Sequence, residues 1–180
     1  MAGKPDLVYL NGYSPDVAIL LRDLYRAGYD GTRFTQSYAL PGKSLDALPK
    51  EVTEGVVTVQ PSADVDSPAY ALAAKRIGIS EPDSYEAQAT DWMSLVALTI
   101  AKAREATGTA LRDNVRKVSQ GSGPKVYSAV EGLKALAGNP EINYEGASGP
   151  CDFNEIGDIL DCKFRFQQVV KGGFKFIAVK

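Results

Sequence analysis

The chain has 180 residues, of which 44% are hydrophobic and 23% charged, with a net charge of −2 and a pI near 5.3. This length suits one domain or parts of two, and the weakly acidic balance gives no basic footprint for a nucleic-acid partner. The absence of histidine excludes Ser-His-Asp and Cys-His catalytic arrangements and histidine metal sites. Two cysteines are too few for a zinc or iron–sulfur cage, so no metal and no other cofactor is expected.

The first third of the chain alternates between strand and helix patterns. A short apolar strand over Asp6–Asn11 leads into an amphipathic helix with Ser14 as the predicted N-cap. The next predicted elements are a strand over Arg33–Tyr38, a loosely helical stretch over Lys43–Glu54 and a strand over Gly55–Gln60. Strands that alternate with helices predict an α/β fold with a mostly parallel sheet.

The middle of the chain is predicted to be helical, after a connector over Pro61–Pro68 that is rich in turn residues. Two helices are predicted over Pro68–Ile77 and Ser84–Arg104. The second has Trp92 on its main apolar stripe and further apolar residues on other sides, which predicts burial by several neighbours. Two shorter amphipathic helices follow, the last ending at Gly138.

The C-terminal region contains both cysteines and a predicted hairpin. Cys162–Lys180 reads as two strands joined by Lys171-Gly172-Gly173. Cys151 and Cys162 flank a turn-forming stretch, so they could face one another in a disulfide, which would indicate an oxidising compartment. The alternative is a pair of free thiols in a cytosolic protein.

Three tyrosines are candidate ligand contacts because of where they fall along the predicted elements. Tyr13 and Tyr38 follow the first and second strands, and ligands of open α/β sheets bind at the carboxyl ends of strands. Tyr85 comes near the start of the long helix, where backbone N–H groups point outward. The alternative is that these three of nine tyrosines are ordinary surface or packing residues.

Other motifs fail on their spacing. "DFNEIGD" places Ile156 at the fifth position of a calcium loop and Lys163 at the twelfth, where oxygen ligands are needed. "GSGPK" lacks the Walker spacing and reads as a turn. No acidic or basic residues stand out as an acid–base pair, so the chain is not expected to be an enzyme.

Six strings carry a resemblance that covers nearly the whole chain. In order they are "PDLVYLNGYSPDVAILLRDLYRAGYDG", "RFTQSYAL", "EGVVTVQPS", "DSYEAQATDWMSLVALTIAKA", "INYEGASGP" and "DFNEIGDI". Together they resemble the C-terminal half of periplasmic solute-binding proteins of the branched-chain amino acid type (Leu/Ile/Val-binding, type I), which serve ABC importers. The resemblance implies two Rossmann-like lobes joined by a hinge, with residues 1–62 and 163–180 in the second lobe and 63–162 in the first. The N-terminal half of the usual two-lobe protein would be absent from this chain.

The resemblance also implies a ligand site. Tyr13 and Tyr85 match aromatic ligand contacts of the family, with Ser14 and Gln88 as weaker polar candidates. Tyr38 stands where amino-acid binders of the family commonly have an acidic residue that pairs with the ligand's ammonium group. A tyrosine offers a hydroxyl and an aromatic face but no negative charge, so the expected ligand is a carboxylate, an amide or an amino acid held differently.

The function implied is that of an extracytoplasmic solute-binding component, or a fragment of one, of an ABC importer. Such a protein binds a small solute between its lobes by hinge closure and delivers it to an ABC permease in the periplasm. The start "MAGKPDLVYL" does not read as a signal peptide, which indicates either a cytoplasmic product or, as the periplasmic location would require, a secretory leader outside this sequence. Exposed apolar faces are expected to be covered by the missing half or by a second copy. The alternatives are a sensory ligand-binding domain of the same fold, an enzyme with a carboxylate-based site and an isolated structural module, the last of which fits poorly with three tyrosines at sheet and helix ends.

Overall fold

The computed structural model describes residue 3 and residues 5–180, and the chain divides into two compact units. Unit 1 consists of Met1–Gln60 and Phe164–Lys180, and unit 2 consists of Pro61–Lys163. The elements in chain order are β1 (Leu7–Leu10), α1 (Ser14–Arg26), β2 (Thr32–Gln36), α2 (Gly42–Asp46), α3 (Lys50–Thr53), β3 (Val57–Pro61), α4 (Pro68–Ile77), α5 (Ser84–Ala103), α6 (Gly108–Ser119), β4 (Lys125–Val126), α7 (Ala129–Leu136), β5 (Asn143–Tyr144), β6 (Phe164–Val170) and β7 (Gly173–Val179).

Unit 1 is built on a five-stranded sheet with the order β1-β2-β3-β6-β7. The first three strands are parallel, and β6 and β7 form an antiparallel hairpin. Val17 and Leu21 of α1 are fully buried with Leu40, Val56 and Val169 in the core of the unit. The predicted mixed α/β class with a mostly parallel sheet is confirmed.

Helix α1 begins one residue earlier than a Ser14 N-cap requires. Tyr13 is the N-cap, and its carbonyl accepts hydrogen bonds from the amides of Asp16 and Val17, both at 3.0 Å. Ser14 is therefore the first helical residue, and its hydroxyl is free to contact another side chain. The predicted role of Ser14 as N-cap is wrong, because the chain turns into the helix at the tyrosine.

The stretch Lys43–Glu54 forms two short helices instead of one. Pro49 separates α2 from α3, where it is the N-cap residue of α3. The proline ring restricts the preceding residue to extended conformations, so a continuous helix cannot pass through this point. The two-residue turn Lys171-Gly172 between β6 and β7 has φ values of 55° and 81°, which explains the glycine in the hairpin.

Unit 2 packs its helices around a small parallel pair of strands, β4 and β5. Leu98 of α5 and Val118 of α6 are fully buried with Ile142 and Tyr144. The apolar stripe of α5 that includes Trp92 was predicted to be buried, but Trp92 is 65% exposed. The buried face of the helix is instead the one that carries Leu95 and Leu98. In the described part of the chain, no helix is long and apolar enough to cross a membrane.

The predicted disulfide between Cys151 and Cys162 is wrong, since both thiols are free. The intervening turn pairs Phe153 with Ile159 in an antiparallel bridge. Cys151 is buried in the core of unit 2, whereas Cys162 is exposed, so the two thiols lie in different environments.

Candidate functional site

Tyr13 and Tyr38 lie together at one edge of the unit 1 sheet. Tyr13 follows β1, and Tyr38 lies in a short 3-10 turn directly after β2, the parallel neighbour of β1. Their ring centroids are 6.2 Å apart with an interplanar angle of 49°, within the range of favourable aromatic pairs. The rings are 76% and 45% exposed, so they form an open aromatic surface where parallel strands end.

Hydroxyl groups lie next to this aromatic surface. The Ser14 hydroxyl contacts the Ser44 hydroxyl of α2 in a hydrogen bond whose donor could be either group. At the end of β2, Gln36 donates its side-chain amide to the Tyr9 hydroxyl at 2.8 Å, while its carbonyl oxygen is buried and has no partner among the described residues. Ser44 was not among the sequence-predicted site residues; its only signal was its place after a strand end, in "PGKSLD".

Tyr85 and Gln88 belong to unit 2 and lie in the first turns of α5. Asp83 caps the helix by accepting from the Glu86 amide at 2.9 Å, and the Glu86 carboxylate accepts from the Asp83 amide at 2.8 Å. This reciprocal capping fixes where the helix begins and so fixes the position of Tyr85. Tyr85 is 45% exposed and Gln88 is partly buried, three residues further along the same helix.

A buried carboxylate on the same helix was missed by sequence reasoning. Asp91 is 3% exposed and accepts four hydrogen bonds, from the Tyr144 hydroxyl, the amides of Ala147 and Ser148, and the Ser148 hydroxyl. Burial raises the pKa of the Tyr144 phenol above its usual range, and the nearby Asp91 carboxylate adds to the effect. Burial likewise raises the pKa of the Cys151 thiol, which keeps it in the unreactive protonated form.

A separate groove of about 600 Å³ lies on unit 2 between α5, α6 and the turn after Phe153. Its lining includes Trp92, Leu95, Leu111 and Val115, and it contains neither Tyr85 nor Gln88. The groove is therefore not part of the predicted ligand site. Among the described residues, no group of three or more cysteine, aspartate or glutamate side chains is arranged to hold a metal ion.

No protein-family model matches the chain, and comparison with curated proteins gives no significant match. Solved structures do match, along nearly all of it. The chain is similar to the leucine binding protein LivK from Thermotoga maritima, with 21% identity and a TM-score of 0.65, over 97% of this chain and 44% of that one. It is also similar to the branched-chain amino acid transporter substrate binding protein LivJ from Streptococcus pneumoniae in complex with isoleucine, with 19% identity and a TM-score of 0.61, over 100% of this chain and 45% of that one.

A third similar structure is an ABC transporter solute binding protein from R. palustris in complex with benzoate. It has 17% identity and a TM-score of 0.53, over 98% of this chain and 43% of that one. All three are described as binding proteins, and this chain spans less than half the length of each. The chain therefore has the fold of periplasmic binding proteins of type I, over a little less than half of their length.

Proposed function

We propose that this chain is a solute-binding component, or part of one, of an ABC importer outside the cytoplasm. The observation that carries the proposal is the open aromatic pair of Tyr13 and Tyr38 at the carboxyl ends of adjacent parallel strands. A ligand carboxylate or ring placed there would meet aromatic faces and the hydroxyls of both tyrosines, Ser14 and Ser44. Tyr85 and Gln88 are proposed as contacts from unit 2, brought to the solute by hinge closure.

The proposed solute is a small amino-acid-like or carboxylate compound. The groups beside the aromatic pair include the hydroxyls of Ser14 and Ser44, and Tyr38 stands where the resemblance to amino-acid binders implies an acidic residue. A charge-assisted hydrogen bond to an ammonium group contributes about 1.5–3 kcal/mol, so its absence favours ligands without that group. The similar proteins bound to isoleucine and to benzoate represent the two kinds of ligand to compare.

Binding is tested by calorimetry of the chain against isoleucine, benzoate and a panel of related amino acids, amides and carboxylates. We expect Tyr13→Ala and Tyr38→Ala each to weaken binding about tenfold, the loss of one aromatic contact of about 1.4 kcal/mol. Tyr25→Ala is the matched control, because Tyr25 is similarly exposed on α1 but lies at the other end of the helix. Equal effects of all three substitutions, or no binding by any compound of the panel, would refute the proposed site.

The role of Tyr38 in ligand choice has its own test. Tyr38→Asp restores a carboxylate at the position and should raise the ratio of isoleucine to benzoate affinity by about 10- to 100-fold. Tyr38→Phe removes only the hydroxyl and should leave that ratio within a few fold. An unchanged ratio in Tyr38→Asp would show that Tyr38 does not face the ligand.

The proposal also includes further polypeptide that covers unit 2. Trp92 and Met93 are mostly exposed on α5, and the chain spans less than half of the similar proteins. A missing segment of the protein or a second copy of this chain would bury these side chains. Light scattering of the purified chain should give a mass above that of a monomer, and a clean monomer would refute this part of the proposal.

A further inference from the structure

The carboxylate of Asp91 is the centre of a hydrogen-bond network that the proposed ligand site does not use. One carboxylate oxygen accepts from the Tyr144 hydroxyl at 2.9 Å and from the Ala147 amide at 2.7 Å. The other accepts from the Ser148 amide at 2.7 Å and from the Ser148 hydroxyl at 2.5 Å. Burying an unpaired carboxylate would be very costly, so these four donors are what makes a charge in this position tolerable.

The loop held by Asp91 is bonded in turn to the start of unit 2. The carbonyl of Gly146 accepts from the Ser67 hydroxyl at 2.9 Å, and the carbonyl of Ala147 accepts from the Asp64 amide at 2.9 Å. Gly146 itself has no room for a side chain, because an added Cβ would lie 2.5 Å from an Asp91 carboxylate oxygen. The loop is therefore hydrogen-bonded on one side to Asp91 of α5 and on the other side to residues 64–67.

The start of unit 2 is also tied to its end. The amide of Ser62 donates to the carbonyl of Lys163 at 2.8 Å, and the Lys163 ammonium lies 3.5 Å from an Asp64 carboxylate oxygen. Both segments at which the chain enters and leaves unit 2 are thus joined to one another and, through Asp64, to the loop. The path from Asp91 to Lys163 is continuous in hydrogen bonds and ion pairs.

We propose that Asp91 is a positioning residue that fixes the entering and leaving segments of unit 2 relative to α5. The helix matters because it carries Tyr85 and Gln88 less than two turns before Asp91. If the proposed function holds, a solute that contacts Tyr85 acts on a helix that is linked to both connecting segments through this network. The positioning role of Asp91 does not depend on solute binding, because the hydrogen bonds that define it are present without a solute.

The test is hydrogen exchange of the whole chain, measured by mass spectrometry for wild type and Asp91→Asn. An amide side chain keeps the shape but presents an NH₂ group to donors, so it loses part of the four bonds. We expect exchange to rise about tenfold or more in residues 146–149 and also in residues 61–67, as the loss of about 1.4 kcal/mol of local protection implies. The strands β1 and β2 of unit 1 should keep their wild-type exchange.

Two further variants keep the outcome interpretable. Thr99→Val is the matched control on the same helix, since Thr99 is fully buried and its hydroxyl has no partner among the described residues. Ser148→Ala removes only one of the four donors and should give the same pattern with smaller amplitude if Asp91→Asn fails to fold. Exchange that rises in 146–149 but not in 61–67, or rises alike in the control, overturns the proposal. Because no solute is present, this result does not depend on whether the proposed function is correct.

Discussion

Gly123→Ala should strongly destabilise unit 2, because the turn around Gly123 packs directly against the backbone before β5. A Cβ at this position would lie 1.9 Å from the Glu141 carbonyl oxygen and 2.7 Å from the Ile142 amide nitrogen. These are backbone atoms that cannot rotate away, so the segment must move by about 1.5 Å to reach ordinary van der Waals contact. That movement pulls the fully buried Ile142 from the core. It also strains the hydrogen bond that the Asn143 amide donates to the Pro124 carbonyl at 2.9 Å. Adding one lost hydrogen bond to partial exposure of an isoleucine gives about 3 kcal/mol.

The effect is measured by urea denaturation, followed by circular dichroism and by the fluorescence of Trp92, the single tryptophan of the chain, which lies in unit 2. Gly138→Ala is the matched control, since an added Cβ there meets nothing within 4 Å. The control should change the free energy of unfolding by less than about 1 kcal/mol. If Gly123→Ala is no more destabilising than the control, the close packing of the turn against residues 141–142 is not as the structure describes.

Two predictions concern buried titratable groups. In the folded protein a thiol reagent should label the exposed Cys162 quickly and the buried Cys151 only after unfolding. Burial raises the pKa of the Cys151 thiol and also shields it from the reagent. Rapid labelling of both thiols would contradict the burial of Cys151. Because burial also raises the pKa of Tyr144, this phenol stabilises the fold below its unfolded pKa of about 10, and the contribution is lost as the pH rises further. Tyr144→Phe should therefore flatten the loss of stability measured between about pH 9 and 11, and an unchanged pH dependence in this variant would contradict the reasoning.

The elements that sequence reasoning placed well are those whose ends are encoded locally. Helix α4 begins at Pro68 with Ser67 as its cap, and α5 begins after Asp83 with a glutamate three residues later in its first turn. In the hairpin, the glycine of Lys171-Gly172 marks the turn. Such signals depend on neighbouring residues only, so they can be read before the tertiary structure is known.

The features that sequence reasoning missed depend on distant partners. Strands β4 and β5 have two residues each, which is too short to show an alternation of hydrophobic and polar residues. The four donors to Asp91 lie between 53 and 57 positions further along the chain than Asp91 itself. The sequence around Asp91 contains no pattern that indicates them. For the same reason the cysteine pairing failed, since it depends on the conformation of the segment between the cysteines and not on the number of residues in it.

Of the candidate ligand contacts, the sequence could place Tyr13 and Tyr38 at strand ends but could not determine that their rings would meet. Their proximity follows from the parallel pairing of β1 with β2, a relation between segments separated by a helix. Ser44 joins the hydroxyls near the pair only because α2 folds back toward the start of α1. Residues at strand ends can thus be identified from the sequence, while their grouping requires the sheet order.

The hydrogen bond between Ser62 and Lys163 has a consequence for engineering variants in which the two units are separated. Residues 61–163 begin and end at adjacent points, so the two ends of this stretch are close enough to be joined into a ring. The remaining two pieces are equally suited to rejoining, since β3 and β6 are neighbours in one sheet and a short turn could connect them. Each unit would in this way become one continuous polypeptide that could be exchanged with the corresponding piece of another protein.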